Sequence, residues 1–176
     1  MARMAEAGKF KLLLKPADIP RLAKSYGPEQ DDAALAAGRR IRGGEFTRKL
    51  LAEIFEWKTK GRGRSRLLGN TDDEIADAMR LAVRAKTEPA AIAVLLGLNG
   101  VQVPVASAIL TAIDPERYTV IDFRALKAVG SESTDRTVNF YLAYLDACRD
   151  LAKAHRVTLR DLDRALWQWS AEQSGR

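Results

Sequence analysis

Two segments carry residues whose types and spacing could do chemistry. The first is Leu98-Asn99-Gly100-Val101-Gln102-Val103-Pro104-Val105-Ala106. Gly100 permits positive φ, so consecutive amides can point the same way. A helix starting at Pro104 would bring its positive end to the same turn, and loop amides beside a helix N-terminus form an anion site. The same pattern also fits a plain connector between two helices. The second segment is Tyr118-Thr119-Val120-Ile121-Asp122, followed by FRALKAVG. It holds one carboxylate in an apolar run. Such a group can stabilise developing positive charge or activate water. Aspartate ahead of a helical stretch is also an ordinary N-cap, and the two roles are compatible.

The charge distribution favours a polyanionic partner. Of a formal +6, the stretch from Arg39 to Arg66 holds ten cations against Glu45, Glu53 and Glu56, a local excess of +7. A solvated basic helix face would account for part of it. The loop KTKGRGRSR supports the sharper reading, because small residues alternate with Lys58, Lys60, Arg62, Arg64 and Arg66. Backbone amides and guanidinium groups can then both reach phosphates.

Other chemistries find little material. Cys148 is the only cysteine and His155 the only histidine. A disulfide framework, a cysteine or histidine zinc site and a Ser-His-Asp triad are therefore not expected. Cys148 lies at helical spacing from Tyr144 and Leu151 and reads as a small core residue. No metal or cofactor is expected. No apolar run approaches the roughly 20 residues that span a bilayer, and the N-terminus is too charged for a secretory signal. The protein is read as cytoplasmic, with no membrane partner.

The elements that must position these residues are helical nearly throughout. The patterns include an Ala-rich helix from Asp31 and an amphipathic stripe Phe46, Leu50, Ile54, Trp57. Thr71 and Glu74 form a capping box ahead of a helix with Ile75, Met79 and Leu81 to Val83 inside. Helices follow after the caps Thr87 and Thr158, with Pro89 just inside the first. No strand alternation and no repeat is visible. The fold class is all-α, about eight or nine helices. One compact helical domain over residues 1–176 is expected, or two small lobes with the cleft between them. The tryptophans at 167 and 169 read as core and rim.

The hairpin and the carboxylate together resemble the helix-hairpin-helix (HhH-GPD) superfamily of DNA glycosylases. The resemblance covers about 87–130, with the hairpin over about 87–113. Leu98, Gly100-Val101-Gln102 and Ala106 follow the family's hairpin pattern, and Val120-Ile121-Asp122 its apolar-Asp motif. Pro104 stands four residues after Gly100 and Asp122 eighteen after that. In the family those offsets hold the Schiff-base lysine of bifunctional members and the catalytic aspartate. Two departures stand out: Gln102 replaces the second hairpin glycine, and Pro104 replaces the lysine. The four-cysteine cluster of some members is missing. The resemblance implies a DNA-glycosylase-like fold and a monofunctional base-excision activity, with Asp122 as the catalytic residue. It implies backbone contacts to duplex DNA from the hairpin at Gly100 and Gln102, and the basic loop adds Lys58, Lys60, Arg62, Arg64 and Arg66 as further candidates for phosphate contacts. Trp57, Phe123 and Arg124 are candidates for the walls around a flipped base. The alternatives are a non-catalytic helix-hairpin-helix DNA-binding module, in which Asp122 only caps, and a helical interaction protein with a basic face.

Overall fold

A computed structural model describes residues 10–175. Among them are ten α-helices and no strand. They are α1 (Ile19–Ser25), α2 (Asp32–Arg42), α3 (Arg48–Thr59), α4 (Arg64–Leu67), α5 (Asp72–Arg84), α6 (Glu88–Leu96), α7 (Val103–Ile113), α8 (Phe123–Ala128), α9 (Val138–His155) and α10 (Leu159–Ser174). The all-α class expected from the sequence is what the chain adopts. The one-turn α4, inside the basic loop, was not legible as a helix. The chain divides into two compact units. The described part of Met1–Pro28 joins Thr119–Arg176 in one, and Glu29–Tyr118 forms the other. The first is called the terminal unit, the second the central unit.

The central unit is built around α7. All of its residues except Pro104 are buried. Buried hydroxyls in this helix stay satisfied: Ser107 Oγ donates to the Pro104 carbonyl at 2.8 Å and Thr111 Oγ1 to the Ser107 carbonyl at 2.7 Å. Helices α2, α3 and α6 pack against α7. At Gly38 on α2 the approach is so close that an added Cβ would lie 1.9 Å from the Ala112 carbonyl oxygen. Glycine inside a helix costs about 1 kcal/mol relative to alanine, yet here alanine should be worse. Overpacking costs roughly 1–3 kcal/mol, sometimes more, and this contact is with backbone that cannot swing aside. Gly38→Ala should lower unfolding free energy by at least about 2 kcal/mol in urea denaturation followed by circular dichroism. A neutral or stabilising result would mean that α2 and α7 are farther apart.

Helix α5 opens with the expected capping box. The Thr71 hydroxyl accepts from Glu74 N at 3.2 Å, and the Glu74 carboxylate accepts from Thr71 N at 2.6 Å. These bonds hold the Glu74 carboxyl below its ordinary range. Its buried stripe is Ile75, Ala78, Met79 and Ala82. Leu81, expected inside, is 54% exposed. The i, i+3, i+4, i+7 pattern from Ile75 passes through Ala82 and leaves Leu81 on another face.

The terminal unit packs α10 against α1, α8 and α9. Helix α8 ends where Gly130 adopts φ 71°. Ser131 N donates to the Leu126 carbonyl at 2.9 Å and Gly130 N to the Lys127 carbonyl at 3.1 Å, the two bonds of a Schellman ending. Cys148 is buried, and burial pushes its thiol far above the ordinary range. The small-core-residue reading of Cys148 holds.

Candidate nucleic-acid interface

The basic stretch does not act as one surface. Arg40 is spent on Glu45, with bonds of 2.8 and 2.5 Å. Arg48 donates to Asp72 at 2.6 Å and to the Asn70 carbonyl at 2.5 Å. Arg42 pairs with Asp114 at 3.6 Å. Among the described residues, no carboxylate pairs with Arg62, Arg64 or Arg66, and all three are exposed. The loop after α3 thus holds three cations of the central unit that no carboxylate neutralises among the described residues.

Three residues of that loop, Lys60, Gly61 and Gly63, lie in the left-handed region with φ 52°, 79° and 80°. This backbone path reverses the chain tightly and starts α4 immediately, so Arg64 and Arg66 are carried on one helical turn. Arg62 is steadied by its own bond to the Thr59 carbonyl at 3.1 Å.

The turn between α6 and α7 meets this loop. Gly100 has φ 83°. A Cβ there would lie 3.1 Å from both Arg66 Cβ and Leu67 N, so glycine is required for conformation and for contact alike. Asn70 fixes the junction: its amide nitrogen donates to the Leu67 carbonyl at 2.9 Å and the Asn99 carbonyl at 3.0 Å, while its oxygen accepts from Asn99 N at 2.8 Å. Leu98 and Val101 are buried and anchor the turn. The N–H groups of Gly100, Gln102 and Val103 have no acceptor among the described residues. Helix α7 starts at this point with Gln102 as N-cap, without a side-chain cap bond.

The result is a groove of about 550 Å³ whose walls include Arg62, Ser65, Arg66, Gly100, Gln102 and Pro104. Residues whose guanidinium groups have no carboxylate partner, residues whose amides have no acceptor and the start of a helix line one concavity. Groups of these kinds are the ones that hold anions elsewhere. Of the other cations singled out in the sequence, Arg64 lines a second groove of about 980 Å³ together with Phe46, Trp57 and Leu68. Lys58 and Lys60 line neither groove.

The chain finds no match among known protein families, curated proteins or solved structures. The site must be judged on its own geometry. Among the described residues no group of three His, Cys, Asp or Glu is arranged to hold a metal, and no helix is long and apolar enough to cross a membrane.

Asp122 belongs to the terminal unit. It caps α8, its Oδ1 accepting from Ala125 N at 2.9 Å. The extended segment leading to it is suspended by side chains from two helices. Tyr141 and Tyr144 on α9 donate their hydroxyls to the carbonyls of Thr119 and Val120 at 3.1 and 3.2 Å. Asp163 on α10 accepts from Val120 N at 3.3 Å and is itself held by an ion pair with Arg160. Both tyrosines and Asp163 are buried. Burial, reinforced by Cys148 and the carboxylates of Asp163 and Asp122, keeps the Tyr144 hydroxyl protonated far above its ordinary range. It therefore stays a donor to the segment. Asp122 is half-buried at the end of this mount.

Phe123 and Arg124 follow Asp122 in the terminal unit, whereas Trp57 belongs to the central unit. Four residues that shape these sites escaped the sequence reading: Asn70, Tyr141, Tyr144 and Asp163. Tyr144 sat in a helix read only as packing. Asn70 acts on a turn 29 positions away, and Asp163 on a backbone amide 43 positions away, so no local pattern announces either.

Proposed function

We propose that the protein binds the backbone of duplex DNA through the groove beside Arg62, Arg66, Gly100 and Gln102, and that it removes a base by hydrolysis with Asp122 as the catalytic residue. One observation carries the binding half. Two segments distant in sequence, each an anion-site candidate by itself, line the same concavity, and both carry donors without a carboxylate or carbonyl to spend them all on among the described residues. Such contacts fix position on the backbone and read no sequence.

The catalytic half rests on how Asp122 is mounted. Hydrolysis of an N-glycosidic bond adds water at C1′ and releases the protonated base. Positive charge builds on the sugar before water arrives, and a fixed carboxylate lowers that barrier. Three buried side chains devoted to one four-residue segment suit such a demand for fixed geometry. Pro104 offers no amine, so the reaction expected is hydrolysis without a Schiff base at that position. A second reading, a binding module without catalysis, is favoured by the bond that Asp122 already makes to Ala125 N.

A panel of duplexes, each with one damaged or mismatched base, followed by alkali, separates the two. Strand breaks at one lesion support the enzyme. Binding to every duplex without breaks at any supports the module.

A further inference from the structure

Ser65 stands inside the basic loop, in the run Arg62-Gly63-Arg64-Ser65-Arg66. All five residues are exposed. Ser65 lines the same groove as Arg62 and Arg66. Its hydroxyl makes no hydrogen bond among the described residues. Other hydroxyls of the central unit are used by the fold. Thr59 and Thr111 donate theirs to backbone carbonyls at 2.9 and 2.7 Å, and Thr71 caps a helix with its own. The backbone around Ser65 is lightly held as well. Helix α4 is a single turn, and Leu67 is its one buried residue. A segment with so few buried contacts opens locally at low cost, so a second enzyme can reach the serine.

We infer that Ser65 is a phosphorylation site, and that phosphoserine at this position closes the groove to DNA. The flanking charge sets the class of enzyme. Arginine three residues before the serine, with further arginines on either side, suits a kinase whose substrate cleft is lined by carboxylates. In the transfer, Ser65 Oγ forms a bond to the γ-phosphorus of ATP. The bond from that phosphorus to the β–γ bridging oxygen breaks, ADP leaves, and the hydroxyl proton passes to the kinase's aspartate. The consequence is electrostatic. Arg62, Arg64 and Arg66 carry three positive charges, and a phosphoserine brings about −1.5 to −2 at neutral pH, which leaves the five residues with roughly +1 to +1.5. The new phosphate is tethered beside the guanidinium groups at an effective concentration of about millimolar, whereas a DNA phosphate arrives from solution. Its oxygens accept the same bonds from arginine, so it competes for the groove from within. The inference rests on the DNA-binding reading above and adds the regulation of that site.

The test treats the whole protein with ATP and calmodulin-dependent kinase II, which takes serines with an arginine three residues ahead. Peptide mass spectrometry should place a phosphate on Ser65. The affinity of the treated protein for an intact fluorescent duplex should fall at least about tenfold, and its log–log salt slope should flatten by about two units, the share of two phosphate contacts. A phosphatase should restore both. The same treatment of Ser65→Ala should leave that variant's own affinity where it stood before. No phosphate on Ser65 overturns the inference. So does a phosphate there with affinity and slope unchanged, or a loss of binding that treated Ser65→Ala shares. In each of these cases, salt-dependent binding by the untreated protein leaves the DNA reading standing. An untreated protein that binds no duplex removes the DNA reading and this inference with it.

Discussion

Asp122→Asn is expected to cut base release from the processed duplex by at least about 100-fold, the scale on which single electrostatic groups act at reacting centres. The substitution isolates charge. Asparagine and aspartate cap helices about equally well, so the bond from Ala125 N should persist. Tyr141, Tyr144 and Asp163 hold the segment by its backbone, not by the side chain of Asp122. Unfolding free energy should therefore change by less than about 1 kcal/mol. Affinity for DNA should be the same or slightly higher, because a negative charge has been removed. No borohydride-trapped adduct at Pro104 is possible in parent or variant. Single-turnover kinetics with alkali quench give the rate directly. Full activity in the variant would leave Asp122 as a cap and nothing more.

Replacing Arg62 and Arg66 together by alanine should flatten the dependence of affinity on salt by about two log units per log unit. Each phosphate neutralised on duplex DNA contributes roughly 0.9 to that slope, and these two side chains line the groove without a carboxylate of their own. Adding Arg64→Ala should bring the total to between two and three units. Arg64 lines the neighbouring apolar groove, so its separate effect reports whether the backbone passes over α4. As an internal control, Arg40→Ala should leave the slope unchanged, since Arg40 is already tied to Glu45 by two bonds. A slope equally reduced in all variants would point to net charge instead of a groove.

Much of the architecture is legible from the sequence because its signals are local. Capping at Thr71, Thr158 and Asp122, the stop at Gly130 and the amphipathic runs each involve residues within a turn or two of one another. The turn at Gly100 and the basic loop were each visible for the same reason. Their meeting was not visible. It depends on Asn70 bridging to Asn99 and on the missing Cβ of Gly100 against Arg66, neither of which has a periodic signature. The division of the cations was equally hidden. Arg48 looks like Arg62 in a composition count, yet it is spent on Asp72 and the Asn70 carbonyl. Leu81 is the converse case, an apolar residue inside a helical run that lies on the surface because the stripe passes through Ala82. For Asp122, the cap is a local property and readable. The mount that fixes it comes from α9 and α10, tens of residues later in the chain.

The groove is the central claim, and the salt dependence of the parent protein on two intact duplexes of unrelated sequence tests it most directly. Phosphate contacts from Arg62, Arg66 and the turn amides predict affinities that match between the duplexes and fall steeply and in parallel as salt rises, with a log–log slope of magnitude at least about two. A slope near zero, or binding to one duplex only, would contradict it.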